Sequence, residues 1–339
     1  MKKKRLCLLL CCLLALASLC GCGGEKEDAV ENTDAEVTEA AAEITVEEAV
    51  AQTAAYYYDR ASELPVGEAG SDWAVIALIR SDSKMPDGFY DAYAALLEQK
   101  ITDCGGVLDA TKYTEYSRTV LALTALGKDP RNIGGYDLLI PLADFDKVCV
   151  QGLNGPIWAL IALNSGAYEL PANPEAATPA TAEMYLQKIL TSQNEDGSFA
   201  LDAGAEGDVD ITAMALQALA FYDEREDVSP VIEKALNYLS AVQDDDGGYS
   251  TWDEPNAESC AQVLTALASL GISAEDERFV KNGCSVSDAL LTYAVGDGTF
   301  MHSKAQNTSD PLGTEQAFYA LTAQERAEKG LSSLYDMSK

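Results

Sequence analysis

The clearest repeat unit of this chain reads Asp210-Ile211-Thr212-Ala213-Met214-Ala215-Leu216-Gln217-Ala218-Leu219. The same pattern, a polar head followed by an apolar tail, returns at residues 117–126, 154–163 and 258–267. Looser copies end at Leu78 and Leu321, so six copies follow one another about 40 to 55 residues apart, a spacing typical of arrays of repeated supersecondary units. The tail is apolar around its whole circumference, which predicts six helices that are buried on nearly all sides.

Amphipathic segments lie between these copies. Residues 229–243 and 182–193 place apolar side chains on one helical face and charged or amide side chains on the other. Further candidates are residues 47–62, 91–101, 287–295 and 136–148, the last of them interrupted by Pro141. Six buried helices that alternate with six half-exposed ones fit a closed ring with the apolar helices inside. The sequence therefore predicts an all-α fold, an (α/α)6 toroid of six inner and six outer helices.

The loops that follow three outer segments share a pattern and carry a family resemblance. Residues 193–199, 243–249 and 296–300 each place Asp-Gly shortly before an aromatic residue, a sequence that ends a helix and allows a positive φ. The set Tyr238, Leu239, Gln243, Gly247 and Tyr249 resembles the Gln–aromatic repeat of squalene–hopene cyclases and the related prenyltransferases. The resemblance covers roughly residues 47–339 and implies the same toroid.

The N-terminus predicts export and a lipid anchor. Four basic residues, 2–5, precede an apolar run over 6–19 that is too short for a normal membrane span. The following Leu19-Cys20-Gly21-Cys22 resembles the bacterial lipobox. We expect a signal peptide over 1–21, a lipid on Cys22, and a protein held at the extracellular face of the bacterial cell membrane. Residues 22–46 are an acidic spacer without the apolar residues for a core, and the toroid domain takes 47–339.

Charge and cysteine content limit the partners. The net charge of −32 argues against binding to nucleic acid and against direct adhesion to anionic lipid, so the lipid anchor is the only expected membrane contact. The four cysteines of the domain allow three disulfide pairings, and the sequence does not choose among them: Cys104, Cys149, Cys260 and Cys284. Cys260 occupies an apolar slot of the repeat and is expected to be a core residue.

The segment from Asp208 to Ala213 carries the most suggestive chemistry. It resembles the Asp-x-Asp-Asp-Thr-Ala motif of squalene–hopene cyclases, in which the middle Asp protonates an alkene. The resemblance assigns the first Asp to Asp208 and the proton donor to Asp210, whereas Ile211 replaces the third Asp. Such an acid needs surroundings that keep it protonated and an aromatic cavity that stabilises cations. A structural alternative for Asp210 is the N-cap of the helix that follows it.

A zinc site is not expected. Protein prenyltransferases, the other enzymes that the repeat resembles, hold zinc with Asp, Cys and His. At the position of that His, this chain has Glu258 or Ser259, and its only histidine is His302. A catalytic zinc ion normally has three protein ligands. We therefore predict neither a metal site nor a bound cofactor.

A ligand-binding site is the preferred interpretation of the same segment. Residues 209–215 resemble a stretch of the intrinsic factor and transcobalamin family, secreted proteins whose toroid domain hydrogen-bonds a corrinoid. Ser117, Asn154 and Glu258 hold the repeat position of Asp210, and Asp208 stands beside it, so these polar groups should surround one mouth of the central cavity. Apolar contact area would come from Trp158 one turn inside and from the rim residues Tyr113, Tyr116 and Trp252.

The sequence thus favours a lipid-anchored protein that binds a small molecule, with a corrinoid as the leading candidate, over an enzyme. Cobalamin binders add a second domain that clamps the ligand, so a separate clamp domain or transporter is a possible partner. Two enzyme alternatives stay open. One is a class II terpene cyclase with Asp210 as the general acid, and the other is a glycan-acting (α/α)6 enzyme that uses Asp208 with Glu258.

Overall fold

The computed structural model of the protein describes residues 44–338. The predicted signal peptide, the lipidated Cys22 and the spacer up to residue 43 lie outside the described residues and stay predictions. Among the helices that the structure describes, none combines the length and the apolar character needed to cross a membrane.

Six inner helices form a closed ring. Each begins within a few residues of a copy of the repeat, and consecutive inner helices pack against each other around the ring until the last contacts the first. They are α2 (Ala69–Arg80), α4 (Thr114–Ala125), α7 (Asn154–Ser165), α9 (Val209–Leu219), α11 (Ala257–Ser269) and α13 (Pro311–Glu328). Small residues in their tails let the helices approach closely, and residues 257–268 of α11 are buried without exception. The predicted toroid is confirmed.

The outer helices cover the ring. They are α1 (Val46–Asp59), α3 (Phe89–Asp103), the pair α5 (Leu139–Leu142) and α6 (Phe145–Val148), α8 (Ala182–Leu190), α10 (Ser229–Val242) and α12 (Val286–Leu291). From α5 onwards each outer position packs against the inner helix that precedes it, and α1 packs against α13. The first described helix therefore closes the ring together with the last.

The third outer position is broken later than the sequence predicts. Pro141 lies in the first turn of α5, where its missing N–H has no helical partner to lose. The chain leaves the helix at Ala143 and starts again at Asp144, whose carboxylate accepts a 3.2 Å hydrogen bond from the backbone N–H of Lys147. The N-cap, rather than the proline, separates α5 from α6.

The glutamine of the Gln–aromatic repeat joins neighbouring outer elements. The side-chain amide of Gln243 donates to the carbonyls of Gly247 and Phe279, at 2.8 Å each, and Gln193 makes the equivalent pair of bonds to Gly197 and Val231. Position 247 requires glycine, because its φ is +83° and because a Cβ there would lie 2.6 Å from the carbonyl oxygen of Cys284. The aromatic residues that follow these loops are fully buried: Phe199, Tyr249 and Phe300.

Two short hairpins interrupt the helical pattern. Strands β1 (Ser250–Thr251) and β2 (Glu254–Pro255) pair antiparallel before α11, and β3 (Val280–Lys281) and β4 (Cys284–Ser285) pair in the same way before α12. All four cysteines of the domain are free thiols, and Cys260 is fully buried as the repeat predicts.

Candidate active site

A cavity opens where the N-terminal ends of the six inner helices meet. Each helix contributes one residue of its first turn and one residue four positions later, which lies one turn deeper on the same face. The first-turn residues are Ala69, Thr114, Asn154, Asp210, Glu258 and Leu312, and the deeper ones are Trp73, Arg118, Trp158, Met214, Gln262 and Gln316. The repeat thus places twelve side chains on one continuous wall.

The cavity has two chambers. The inner chamber has a volume of about 290 Å³ and is lined by all six deeper residues. The outer chamber has a volume of about 590 Å³ and lies between α9, α11 and the β1–β2 hairpin. Asp210, Met214 and Gln316 line both chambers and mark their junction. Together they reach the size of an ordinary small-molecule site, about 300 to 1,000 Å³.

Aromatic rings form one side of the inner chamber. The rings of Trp73 and Trp158 lie 4.9 Å apart between centroids, and Tyr319 lies 6.2 Å from Trp73. Tyr335 packs behind both tryptophans. Only Trp158 was predicted, although Trp73 holds the same position in its own repeat. The faces of such rings stabilise positive charge.

Asp210 lies in the first turn of α9 and is not its N-cap. That role belongs to Asp208, whose carboxylate accepts a 2.9 Å hydrogen bond from the N–H of Ile211, so the N-cap hypothesis for Asp210 is wrong. The Oδ1 of Asp210 is buried without a hydrogen-bond partner. Burial raises the pKa of Asp210 to about 6, helped by the negative charges of Asp208 and Glu258 and opposed by the hydroxyl of Ser259.

Glu258 and His302 form a close pair in the outer chamber. The Oε2 of Glu258 lies 2.7 Å from Nδ1 of His302, whereas its Oε1 is buried and has no partner. Burial raises the pKa of Glu258, although His302 acts in the opposite direction. Sequence reasoning set His302 aside because it looked only for a metal cluster. Within residues 44–338 no three His, Cys, Asp or Glu side chains are arranged to hold a metal ion.

A buried charge network lies beside the inner chamber. The Nε of Arg118 donates to Asp72 at 2.9 Å, and its other end contacts Glu115 at 2.6 Å. The hydroxyl of Tyr93 on α3 donates a 2.7 Å hydrogen bond to the second oxygen of Asp72. Glu315, 1% exposed, lies close to this network, and burial together with Asp72 raises its pKa to about 8 against the influence of Arg118.

Three predicted site residues do not line the cavity. Helix α4 begins at Thr114, so Thr114 and Arg118 face the cavity, and Ser117 is turned away and buried among helices. Tyr116 is also buried, where its hydroxyl accepts from the N–H of Leu108, and the ring of Tyr113 packs against it. The prediction failed because the sequence phrase was matched to α4 in a frame shifted by three residues, with Ser117 instead of Thr114 at the position of Asp210.

The other predicted residues meet at the cavity. Asn154 and Trp158 line the inner chamber, Asp208, Glu258 and Trp252 line the outer one, and Asp210 lines both. Trp252 is 94% exposed at the rim. The sequence missed Trp73, Gln262 and Gln316, which a register check four residues after each repeat head would have found. It also missed Arg118, which that check finds only when the head of α4 is Thr114.

Comparison with known proteins supports the fold. A drimenyl diphosphate synthase from Streptomyces showdoensis is 34% identical over 156 residues, which are 44% of this chain and 28% of that protein. The structure of ent-copalyl diphosphate synthase from Streptomyces platensis superposes with a TM-score of 0.50 at 19% identity, over 76% of this chain and 50% of the other. The chain therefore spans about half or less of the length of these two relatives.

The same architecture is found in proteins of quite different activity. Unsaturated glucuronyl hydrolase from Bacillus sp. GL1 superposes with a TM-score of 0.53 at 13% identity, over 86% of this chain and 98% of that one. Likeness at this level of identity concerns the fold alone. Residues 158–299, from α7 to the loop after α12, match the family model of the prenyltransferase alpha-alpha toroid domain. This part of the ring is therefore similar to the toroid domain of that family.

Proposed function

We propose that this chain is an enzyme of the class II terpene cyclase type, in which Asp210 protonates an alkene of an isoprenoid substrate. The observation that carries the proposal is a carboxyl group with a pKa of about 6 and a free Oδ1, held at the entrance of an aromatic chamber. The partial identity with a drimenyl diphosphate synthase supports this alternative over the binding hypothesis that the sequence favoured.

The chemistry follows from the positions of the groups. The carboxyl proton of Asp210 is transferred to one alkene carbon, whose π electrons form the new C–H bond and leave a carbocation on the neighbouring carbon. Asp210 becomes a carboxylate. The faces of Trp73 and Trp158 stabilise the cation while a second double bond attacks it and closes a ring. The final cation loses a proton to water, and Asp210 takes up a new proton through the outer chamber.

A ligand-binding protein is the second candidate. Three buried acceptor atoms of the cavity lack a partner, Oδ1 of Asn154, Oδ1 of Asp210 and Oε1 of Glu258, and they would suit a ligand with several hydrogen-bond donors, as the amides of a corrinoid provide. The glycan alternative is weaker, because Asp208 is engaged as the N-cap of α9. If Cys22 carries a lipid, either function would operate at the extracellular face of the membrane.

One pair of variants separates the two candidates. The protein is incubated with squalene and with farnesyl diphosphate, products are identified by gas chromatography with mass spectrometry, and cobalamin binding is measured by calorimetry. We expect a cyclic product from the wild type with at least one of the two substrates and a loss of at least a thousandfold in Asp210→Asn, because the amide has no acidic proton. Glu224→Gln, which removes an exposed carboxylate outside the cavity, should retain activity.

The outcome also tests the binding hypothesis. Cobalamin binding without any turnover would refute the cyclase proposal. In that case Asp210→Asn should weaken binding by about 1 to 2 kcal/mol, the contribution of one hydrogen bond, because the amide keeps an acceptor oxygen. Turnover that survives unchanged in Asp210→Asn would show that another group is the acid.

A further inference from the structure

The outer chamber is far more acidic than the chain around it. Six of its 17 lining residues are carboxylic acids, about twice the share in the whole sequence, in which 55 of 339 residues are acidic. They are Asp202, Glu206, Asp208, Asp210, Glu254 and Glu258. No Lys or Arg lines the chamber, and His302 is its only basic side chain. The potential in this cleft therefore attracts cations and repels anions.

One of these acids, Glu258, is built into the wall and pairs with His302 through one oxygen only, so that its other oxygen lacks a partner. The side chain of Glu258 is 9% exposed, and its Oε1 is buried and accepts no hydrogen bond in the described structure. Leaving such an acceptor unpaired costs free energy, and the cost is greater for a charged group than for a neutral one. A donor that enters the chamber recovers this cost, and a positively charged donor recovers the most.

Trp252 adds a second feature suited to a cation. Its indole stands at the rim of the chamber and is 94% exposed, on a hairpin turn in which its own φ is +54°. Few L-residues adopt such a backbone conformation. Both this conformation and the exposure of a large apolar ring to water cost free energy. The face of an indole is the strongest aromatic site for an ammonium group.

We propose that the outer chamber binds the positively charged, ammonium end of an organic ligand and rejects a diphosphate. The diphosphate end would face six acidic side chains, and no three side chains within residues 44–338 are placed to hold a divalent ion that could compensate. The proposal rests on the proposed function only for the hydrocarbon part of the ligand, which would extend past Asp210 into the aromatic inner chamber. The head group is assigned by the outer chamber alone.

Three ligands with one hydrocarbon chain test the assignment: farnesylamine, farnesol and farnesyl diphosphate, the last with and without Mg²⁺. All three tryptophans of the chain line the cavity, so intrinsic fluorescence reports binding directly. We expect farnesylamine to bind at least tenfold more tightly than farnesol, and farnesyl diphosphate to bind more weakly than farnesol under both conditions.

Variants locate the effect. Glu258→Gln should weaken farnesylamine binding about tenfold and change farnesol binding less than twofold. Glu224→Gln, which removes one exposed charge outside the cavity, is the matched control and should change neither. Trp252→Ala alters only an exposed side chain, so it should fold normally and still lose affinity for the amine several-fold.

The possible results separate this proposal from the proposed function. Farnesyl diphosphate binding as tightly as the amine would overturn the assignment, and so would equal effects of Glu258→Gln and Glu224→Gln. Cyclisation of the diphosphate would uphold the enzyme proposal and refute the head-group assignment. Tight, Glu258-dependent amine binding without turnover of any substrate would uphold the head-group assignment and refute the enzyme proposal.

Discussion

Glu315 should make the stability of the protein depend on pH. It lies in the second turn of α13, 1% exposed, and its Oε2 has no hydrogen-bond partner. Burial raises the pKa of this carboxyl to about 8 in the folded protein, against an ordinary value near 4.5. The folded state therefore keeps a proton that the unfolded chain releases. This contribution to stability is intact below about pH 4.5 and is lost progressively as the pH rises towards 8.

The size of the effect follows from the linkage relation. Each pH unit in that window costs the folded state about 1.4 kcal/mol through this one group, so the cost between pH 5 and pH 7 is roughly 3 kcal/mol. Glu315→Gln keeps the shape of the neutral acid and removes the titration. The free energy of unfolding of the variant, relative to wild type, should therefore rise by roughly 3 kcal/mol over the same interval.

Urea unfolding at 25 °C and pH 5, 6 and 7 measures this difference. Glu328→Gln is the control, because Glu328 is on the same helix but exposed, and its curve should stay parallel to that of wild type. The change between pH 5 and pH 7 is the quantity that matters, since any constant packing cost of the amide cancels. Parallel profiles for Glu315→Gln and wild type would show that Glu315 is ionised in the folded protein and refute the argument.

Four further outcomes are expected. Leu216→Asp places a carboxylate in a fully buried slot of α9 and should cost several kcal/mol in chemical unfolding; a wild-type transition would contradict the burial of the inner helices. Gln243→Ala leaves two buried carbonyls without their donor and should cost about 2 to 4 kcal/mol, against little for the exposed Gln187→Ala. Cyclase turnover should fall as the pH rises through about 6, because Asp210 must be protonated; an activity that increases over that range would exclude it as the acid. Cys22→Ala should abolish labelling by a fatty-acid analogue, whereas equal labelling would remove the lipoprotein assignment.

The ring could be predicted because its information is local and repeated. An apolar circumference predicts each buried inner helix, and a single apolar face predicts each half-exposed outer helix. The Asp-Gly pairs predict the turns that follow the outer helices. Because the pattern occurs six times, the sequence predicts the ring even where one copy of the repeat is weak. The third outer position was the exception, because the break depends on the single N-cap Asp144 rather than on the more visible Pro141.

The site could be predicted only in part because its decisive contacts join different repeats. Asp72 meets Arg118 across 46 residues, and Glu258 meets His302 across 44. A repeated sequence motif predicts the position of each side chain on its own helix. It predicts neither the rotation of one helix relative to the next nor which loop side chains contact the site. An error of three residues in the frame of α4 was enough to select Ser117 instead of Thr114 and to miss Arg118 one turn deeper.

The replacement of the third Asp by Ile211 shows that a motif on one helix is also insufficient to predict the chemistry of the site. In the sequence alone, the loss of the third Asp of the cyclase motif argues against Asp210 as the acid, because a neighbouring carboxyl group is missing. In the folded protein Ile211 is 6% exposed and lines the outer chamber beside Asp210, whose pKa is raised mainly by burial. Glu258 then supplies a negative charge from the adjacent inner helix. Residues from different helices of the ring can therefore together provide the surroundings that an acid needs. A motif on one helix does not include all of these residues.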